Sequence, residues 1–167
     1  MRAALESGSN FWNAGTFYGT PEWNSITLLV SYFQKYPEDA DKIVLSVKAA
    51  YDVHQKRGVG SPESVKKELD HVLDQLKGIK SVDVFECARV DPDVPIETTL
   101  KFIDEEYVKK GLVGGIALSE VTAATIKRAA KVTKIVAVEN ELSLWTTDPL
   151  ENGVLEACNE LNITFIG

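Results

Sequence analysis

Short apolar runs alternate with longer amphipathic ones along the whole chain. Asn10–Gly15, Ile43–Ala49, Val82–Ala88, Gly114–Leu118, Ile135–Val138 and Ile163–Ile166 are strand-like, each bounded by turn-forming or charged residues. Between them, apolar positions recur at helical spacing over Pro21–Tyr36, Ser61–Leu76, Ile96–Lys110, Ala123–Ala130 and Asn152–Leu161. Each strand but the last is therefore followed by a helix. Ser61 precedes Pro62 and Glu63, a capping hydroxyl ahead of a proline at the first helical position with acid in the first turn. Leu69, Val72 and Leu76 then carry the buried stripe until Gly78 ends it. Glu97 opens the next helix, and Lys109, Lys110 and Gly111 close it with cations and a glycine.

Ile43-Val44-Leu45-Ser46-Val47 and Ile135-Val136-Ala137-Val138 are nearly continuous apolar runs, which suits strands of a parallel sheet covered on both faces. Alternating βα units of this size build either a doubly wound sheet or a barrel. The loop Gly15–Gly19 after the first strand lacks the glycine spacing of a dinucleotide-binding turn. Polar residues instead end several different strands: Asn13, Lys48, Arg89, Ser119 with Glu120, and Glu139. That distribution is expected of the rim of a (β/α)8 barrel, where each strand contributes one group to a shared mouth. Lys48 is the most telling of them, because a lysine ending an apolar strand, with Ala49 and Ala50 behind it, is poorly explained as part of a solvated face.

Length and composition fit one soluble globular domain over residues 1–167, with 44% hydrophobic and 26% charged residues. The net charge of −7 and the scattered lysines and arginines exclude a phosphate-backbone binder, so no nucleic acid partner is expected. Cys87 and Cys158 stand far apart, without metal spacing or a disulfide framework, which points to a reducing compartment. No signal peptide and no run of about 20 apolar residues is present, so no membrane partner is expected, and the cytoplasm, or the nucleus, is the expected location.

Five collinear blocks give the chain a resemblance. Asn10-Phe-Trp-Asn-Ala-Gly-Thr-Phe-Tyr-Gly19, the Val47-Lys48 strand end, Arg89-Val-Asp-Pro-Asp-Val-Pro-Ile-Glu97, Gly115-Ile-Ala-Leu-Ser-Glu120 and Glu139-Asn-Glu-Leu-Ser-Leu-Trp145 resemble, in order, those of the aldo-keto reductases. Phe85-Glu-Cys-Ala-Arg-Val-Asp91 and Ile116-Ala-Leu-Ser-Glu-Val121 look most like the fungal pyridoxal reductases. The resemblance implies hydride delivery from NADPH to the carbonyl carbon of a small-molecule aldehyde, pyridoxal becoming pyridoxine, with a tyrosine protonating the oxygen. Tyr18 occupies the tyrosine's position. A phenol with a reference pKa near ~10 needs a cation beside it to act as an acid at neutral pH, and Lys48 matches the family lysine that would supply one. Ser119 and Glu120 match positions that hold the nicotinamide carboxamide, and Glu139 stands where glutamine is commoner.

Two positions depart from the family pattern. Asn13 replaces the aspartate usually paired with the lysine, and Ala88 replaces the histidine usually beside the carbonyl. Since side chains alternate along a strand, an inward Ala88 implies an inward Glu86 one step deeper, placed to pair with Lys48. His54 and His71 lie on no strand end and are expected at the surface.

A complete barrel takes about 250 residues and eight strands. Aligned on the blocks, this chain is expected to lack the first strand and the C-terminal part, leaving an incomplete (β/α)8 barrel of six strands. Its open edges and bare interior are then expected to promote self-association. The alternative to an active reductase is a catalytically inactive truncated barrel that at most binds cofactor.

Overall fold

The computed structural model, covering residues 1–167, contains one six-stranded parallel sheet and six α-helices. The chain runs through α1 (Arg2–Glu6), β1 (Phe11–Gly15), α2 (Ser25–Lys35), β2 (Val44–Ala49), a small hairpin of β3 (Tyr51–Asp52) and β4 (Arg57–Gly58), and α3 (Pro62–Leu76). It continues through β5 (Val84–Cys87), α4 (Ile96–Ile103), β6 (Ile116–Ser119), α5 (Ala123–Ala129), β7 (Ile135–Glu139), α6 (Val154–Glu160) and β8 (Thr164–Ile166). The sheet order is β1-β2-β5-β6-β7-β8, every neighbour parallel, so each βα unit adds its strand beside the last.

The sheet is strongly curled. Asn13 of β1 and Glu139 of β7 lie four strand spacings apart, about 19 Å in a flat sheet. Their side chains nevertheless meet at 2.5 Å. The sheet therefore closes most of the way around a lumen, with all helices outside.

Two faces follow from the strand alternation. Leu45 and Val47 of β2, Phe85 and Cys87 of β5, Ile116 and Leu118 of β6 and Val138 of β7 point outward into a continuous 34-residue core under the helices. Val65, Leu69, Val72 and Leu76 supply the buried stripe of α3. The inward positions form a separate small layer of Val84, Ala117 and Ala137. A register shift between β6 and β7 after Ile116 leaves Val136 as an extra residue packed on this layer. A Cβ added to Gly115 would meet Val136 Cγ1 at 2.8 Å, so any other residue there would have to displace the Val136 side chain.

The expected elements are all present, with shifts at their ends. α2 begins at Ser25 rather than Pro21, because Asn24 caps it: Asn24 Oδ1 accepts from Ile26 N and Thr27 N, and Thr27 Oγ1 accepts from Asn24 N. Ser61 caps α3 by accepting from Ser64 N at 3.2 Å, as its sequence suggests. The helix expected over Ile96–Lys110 is α-helical only to Ile103, and Asp104–Val108 form a wider π turn. That turn buries Tyr107, whose hydroxyl donates to Asp70 Oδ1 at 2.7 Å on α3. β5 starts at Val84 because Asp83 turns its side chain back to accept from Leu45 N at 2.8 Å. Cys87, in the middle of the sheet, and Cys158, on α6, are both free and buried. His54 and His71 are exposed, and no helix is long and apolar enough to cross a membrane.

Candidate active site

Above the apolar inner layer, the C-terminal ends of five strands bring together polar and charged groups. Lys48 and Glu86 are register partners on β2 and β5, and Ser119 and Glu139 are register partners on β6 and β7. Alternation puts all four on the concave side. Glu86 therefore lies beside Lys48, as the pleat predicts, with Oε1 3.2 Å from Nζ.

Lys48 has a second carboxylate. Glu139 Oε1 accepts from Lys48 Nζ at 2.5 Å, and its other oxygen accepts from Asn13 Nδ2. The lysine side chain is 6% exposed, Glu86 1% and Glu139 25%. Two acids thus share one base in a largely dry space. Glu86 Oε2 accepts from Ser46 Oγ at 3.3 Å, whereas Oε1 receives no well-directed hydrogen bond and faces Lys48 by charge alone.

The environment perturbs both partners. Burial draws the Lys48 ammonium down, but the Glu139 hydrogen bond and the charges of Glu86 and Glu139 outweigh it and hold Lys48 above its ordinary range. Glu86 moves up to about 7, chiefly because burial penalises its charge and Glu139 repels it, against the pull of Lys48.

An adjoining cleft of about 330 Å³ is lined by Phe17, Tyr18, Lys48, Tyr51, Ala88, Arg89, Ser119, Glu120 and Glu139. Tyr18 stands at its mouth on the β1–α2 loop, half exposed, with its ring against Phe17 at 4.9 Å. Its hydroxyl bonds to no protein group. Ser25 pins the loop, since its hydroxyl donates to Gly15 O and accepts from Gly15 N, and its own N–H donates to Tyr18 O. Arg89 Nη1 donates to Ala88 O at 2.6 Å and to Ser119 Oγ at 3.3 Å. The buried Ser119 hydroxyl keeps its own proton free of any protein acceptor.

Glu120 sits on the rim in the left-handed region, at φ 51°, and its Oε1 accepts from Glu141 N at 2.9 Å. Asn140 bonds both N and O of Val121, so the β6 and β7 strand ends are stitched together here. Five of the six residues singled out in the sequence, Tyr18, Lys48, Ser119, Glu120 and Glu139, line one cleft. Asn13 joins them through Glu139. Sequence reasoning marked Arg89 only as a polar strand end, and it missed Phe17 and Tyr51. Tyr51 comes from the β3–β4 hairpin, whose two-residue strands are too short to show a period.

The pattern that defines the Aldo/keto reductase family matches residues 1–167, and the chain belongs to that family. It is 47% identical over 167 residues to Probable pyridoxal reductase 2 of Schizosaccharomyces pombe, covering 99% of this chain and 50% of that protein. It is 30% identical over 164 residues to an aldo-keto reductase of Gibberella moniliformis, covering 98% and 48% respectively. The chain thus spans about half the length of these relatives. Among solved structures it is similar to the thermostable aldo-keto reductase Tm1743, with a TM-score of 0.82 and 20% identity over 98% of this chain and 56% of that one. Glycerol dehydrogenase AKR11B4 from Gluconobacter oxydans superposes with a TM-score of 0.79 at 16% identity, over 98% and 50%. At such identities the likeness shows the fold, that of an aldo-keto reductase barrel.

Proposed function

We propose that the protein acts as an NADPH-dependent reductase of aldehydes, with pyridoxal, reduced to pyridoxine, as the substrate. The observation that carries this reading is the placement of Tyr18 and Lys48 on the wall of one cleft. The likeness to a pyridoxal reductase supports the choice of substrate.

The residues present fit a nicotinamide. Its carboxamide has an oxygen that needs a donor and an NH2 that needs acceptors. The free proton of the Ser119 hydroxyl meets the first need. The Glu139 carboxylate, with lone pairs beyond those given to Lys48 and Asn13, meets the second. Glu120 holds the rim at which that group would enter. The cofactor, when bound, supplies the hydride.

The chain's own part is proton transfer and charge balance. Tyr18 Oη gives its proton to the aldehyde oxygen, and the positive charge of Lys48 stabilises the phenolate left behind. Glu86 holds the ammonium from the inner side, in the place left uncharged by Asn13. With Ala88 on the cleft wall, no imidazole stands there to share the role of Tyr18. Phe17, Tyr51 and Arg89 bound the space open to the aldehyde.

The test is NADPH oxidation by the purified chain with pyridoxal, compared with Tyr18→Phe and Lys48→Met. Turnover that both substitutions abolish is expected. Turnover that survives both would overturn the assignment. One observation favours a second reading, a barrel that binds cofactor without turning over: Lys48 is held by two carboxylates and Tyr18 Oη has no partner. Tight NADPH binding with no pyridoxal-dependent oxidation would establish that reading instead.

A further inference from the structure

We propose that Glu68, on the helix behind the site, is a positioning residue that fastens the Tyr18 loop to the end of the Lys48 strand. The proposal rests on the reading that Tyr18 and Lys48 act together.

The two groups come from different elements, Tyr18 from the loop after β1 and Lys48 from the end of β2. One carboxylate oxygen touches both supports. Glu68 Oε2 accepts from Ala50 N at 2.9 Å, two residues after Lys48, and from Thr16 Oγ1 at a longer 3.4 Å, two residues before Tyr18. Thr16 N donates to Lys48 O at 3.0 Å, and Tyr18 N donates to Gly15 O at 3.1 Å. The loop and the strand end therefore share a hydrogen-bonded frame with Glu68 at its back.

Ordinary packing does not explain Glu68. A cleft of about 800 Å³, lined by Thr16, Phe17, Tyr51, Glu68 and His71 among others, separates the loop from α3. Glu68 reaches across this gap from a helix whose apolar stripe is made by Val65, Leu69, Val72 and Leu76. Ala50 needs the contact: it is 1% exposed, and at φ 62° it occupies the left-handed region that alanine avoids. The Glu68 carboxylate at the Ala50 N–H, with Val59 N donating to the Ala50 carbonyl at 3.0 Å, holds so unfavourable a backbone in place. Burial keeps the Glu68 carboxyl above its ordinary range, and the Ala50 and Thr16 bonds work in the other direction.

The experiment combines amide hydrogen exchange with steady-state kinetics on the full chain and its Glu68→Ala, Glu68→Gln and Thr16→Val forms. In Glu68→Ala the amides of Thr16–Tyr18 and Ala50 should exchange about tenfold faster, with those of β5 and β6 unchanged. The kcat for pyridoxal should fall about tenfold while KM stays within twofold. Glu68→Gln keeps an acceptor oxygen and should restore most of both properties. Thr16→Val should loosen the Tyr18 loop but leave Ala50 protected. The proposal is overturned if Thr16–Tyr18 exchange is unchanged in a folded Glu68→Ala or Thr16→Val chain, if the loss falls on KM, or if Gln fails to rescue. Should the parent chain show no turnover, the functional reading fails, and the exchange rates still decide the role of Glu68.

Discussion

Glu139 Oε1 lies 2.5 Å from Lys48 Nζ, although β5 and β6 separate their strands. The contact spans the lumen and is available only because the sheet curls. It makes Lys48 the hub of two acids, Glu86 from the adjacent strand and Glu139 from across the barrel.

Removing that hub leaves the buried Glu86 and the partly exposed Glu139 without their shared cation. Lys48→Met is expected to destabilise the chain by about 3–5 kcal/mol, the usual cost of leaving a buried partner uncompensated. Chemical denaturation would measure it. Restoring stability with the triple change Lys48→Met, Glu86→Gln and Glu139→Gln would locate the loss in the charges rather than the packing.

Glu86 gives the fold a pH dependence of definite sign. Its carboxyl rises from an ordinary 4.5 to about 7 in the folded chain. A raised folded value means that the stabilisation is fully present below about pH 4.5 and is lost as pH climbs through 7. By linkage this is worth at most about 3 kcal/mol. The melting temperature should therefore fall between pH 5 and roughly pH 8, and Glu86→Gln should flatten that slope. Glu68 has a shift of the same sign, so the difference between the two curves isolates Glu86.

Tyr18→Phe is expected to lower kcat for pyridoxal by about 100-fold or more, the usual contribution of a positioned general acid. Cofactor affinity should stay within about twofold, because the phenol stands at the cleft mouth, apart from Ser119 and Glu139, the groups proposed to bind a carboxamide. Fluorescence titration with NADPH and initial rates would separate the two effects.

Glu139→Gln tests the carboxylate proposed to meet the nicotinamide. A negative charge there favours the cationic ring of NADP+ over neutral NADPH. Its removal should weaken NADP+ relative to NADPH by about fivefold, close to 1 kcal/mol for a partly exposed charge. Equal changes in the two dissociation constants would show that Glu139 does not face the ring.

The concave face predicts association of the 167-residue chain. Phe11 and Val44, both at the lower end of the lumen, are 38% and 40% exposed. Sedimentation should show species larger than a monomer, shifted toward monomer by Phe11→Lys with Val44→Lys.

The order of the six sheet strands and their helices, and most of the charged and polar groups of the cleft, were legible in the sequence. They follow from local rules: period two along a strand, caps at Ser61, and polar groups at strand ends. Glu86 beside Lys48 followed from the pleat once the family resemblance had set Ala88 facing inward. What escaped joins residues whose meeting no local rule sets. Glu139 reaching Lys48, Glu68 reaching Ala50 and Tyr107 turning toward Asp70 join residues 91, 18 and 37 positions apart. The break of α4 at Ile103 belongs with them, because burying Tyr107 overrides a helical pattern that is continuous to Lys110.

The two thiols offer a clock for the opening of this sheet. Burial pushes Cys87 up to about 12 and raises Cys158 as well, so neither forms a reactive thiolate while its surroundings stay closed. Cys87 sits in the central strand and Cys158 on the helix packed near the β8 edge. The order in which an alkylating reagent finds them would report whether the edge peels away first or the whole barrel comes apart at once.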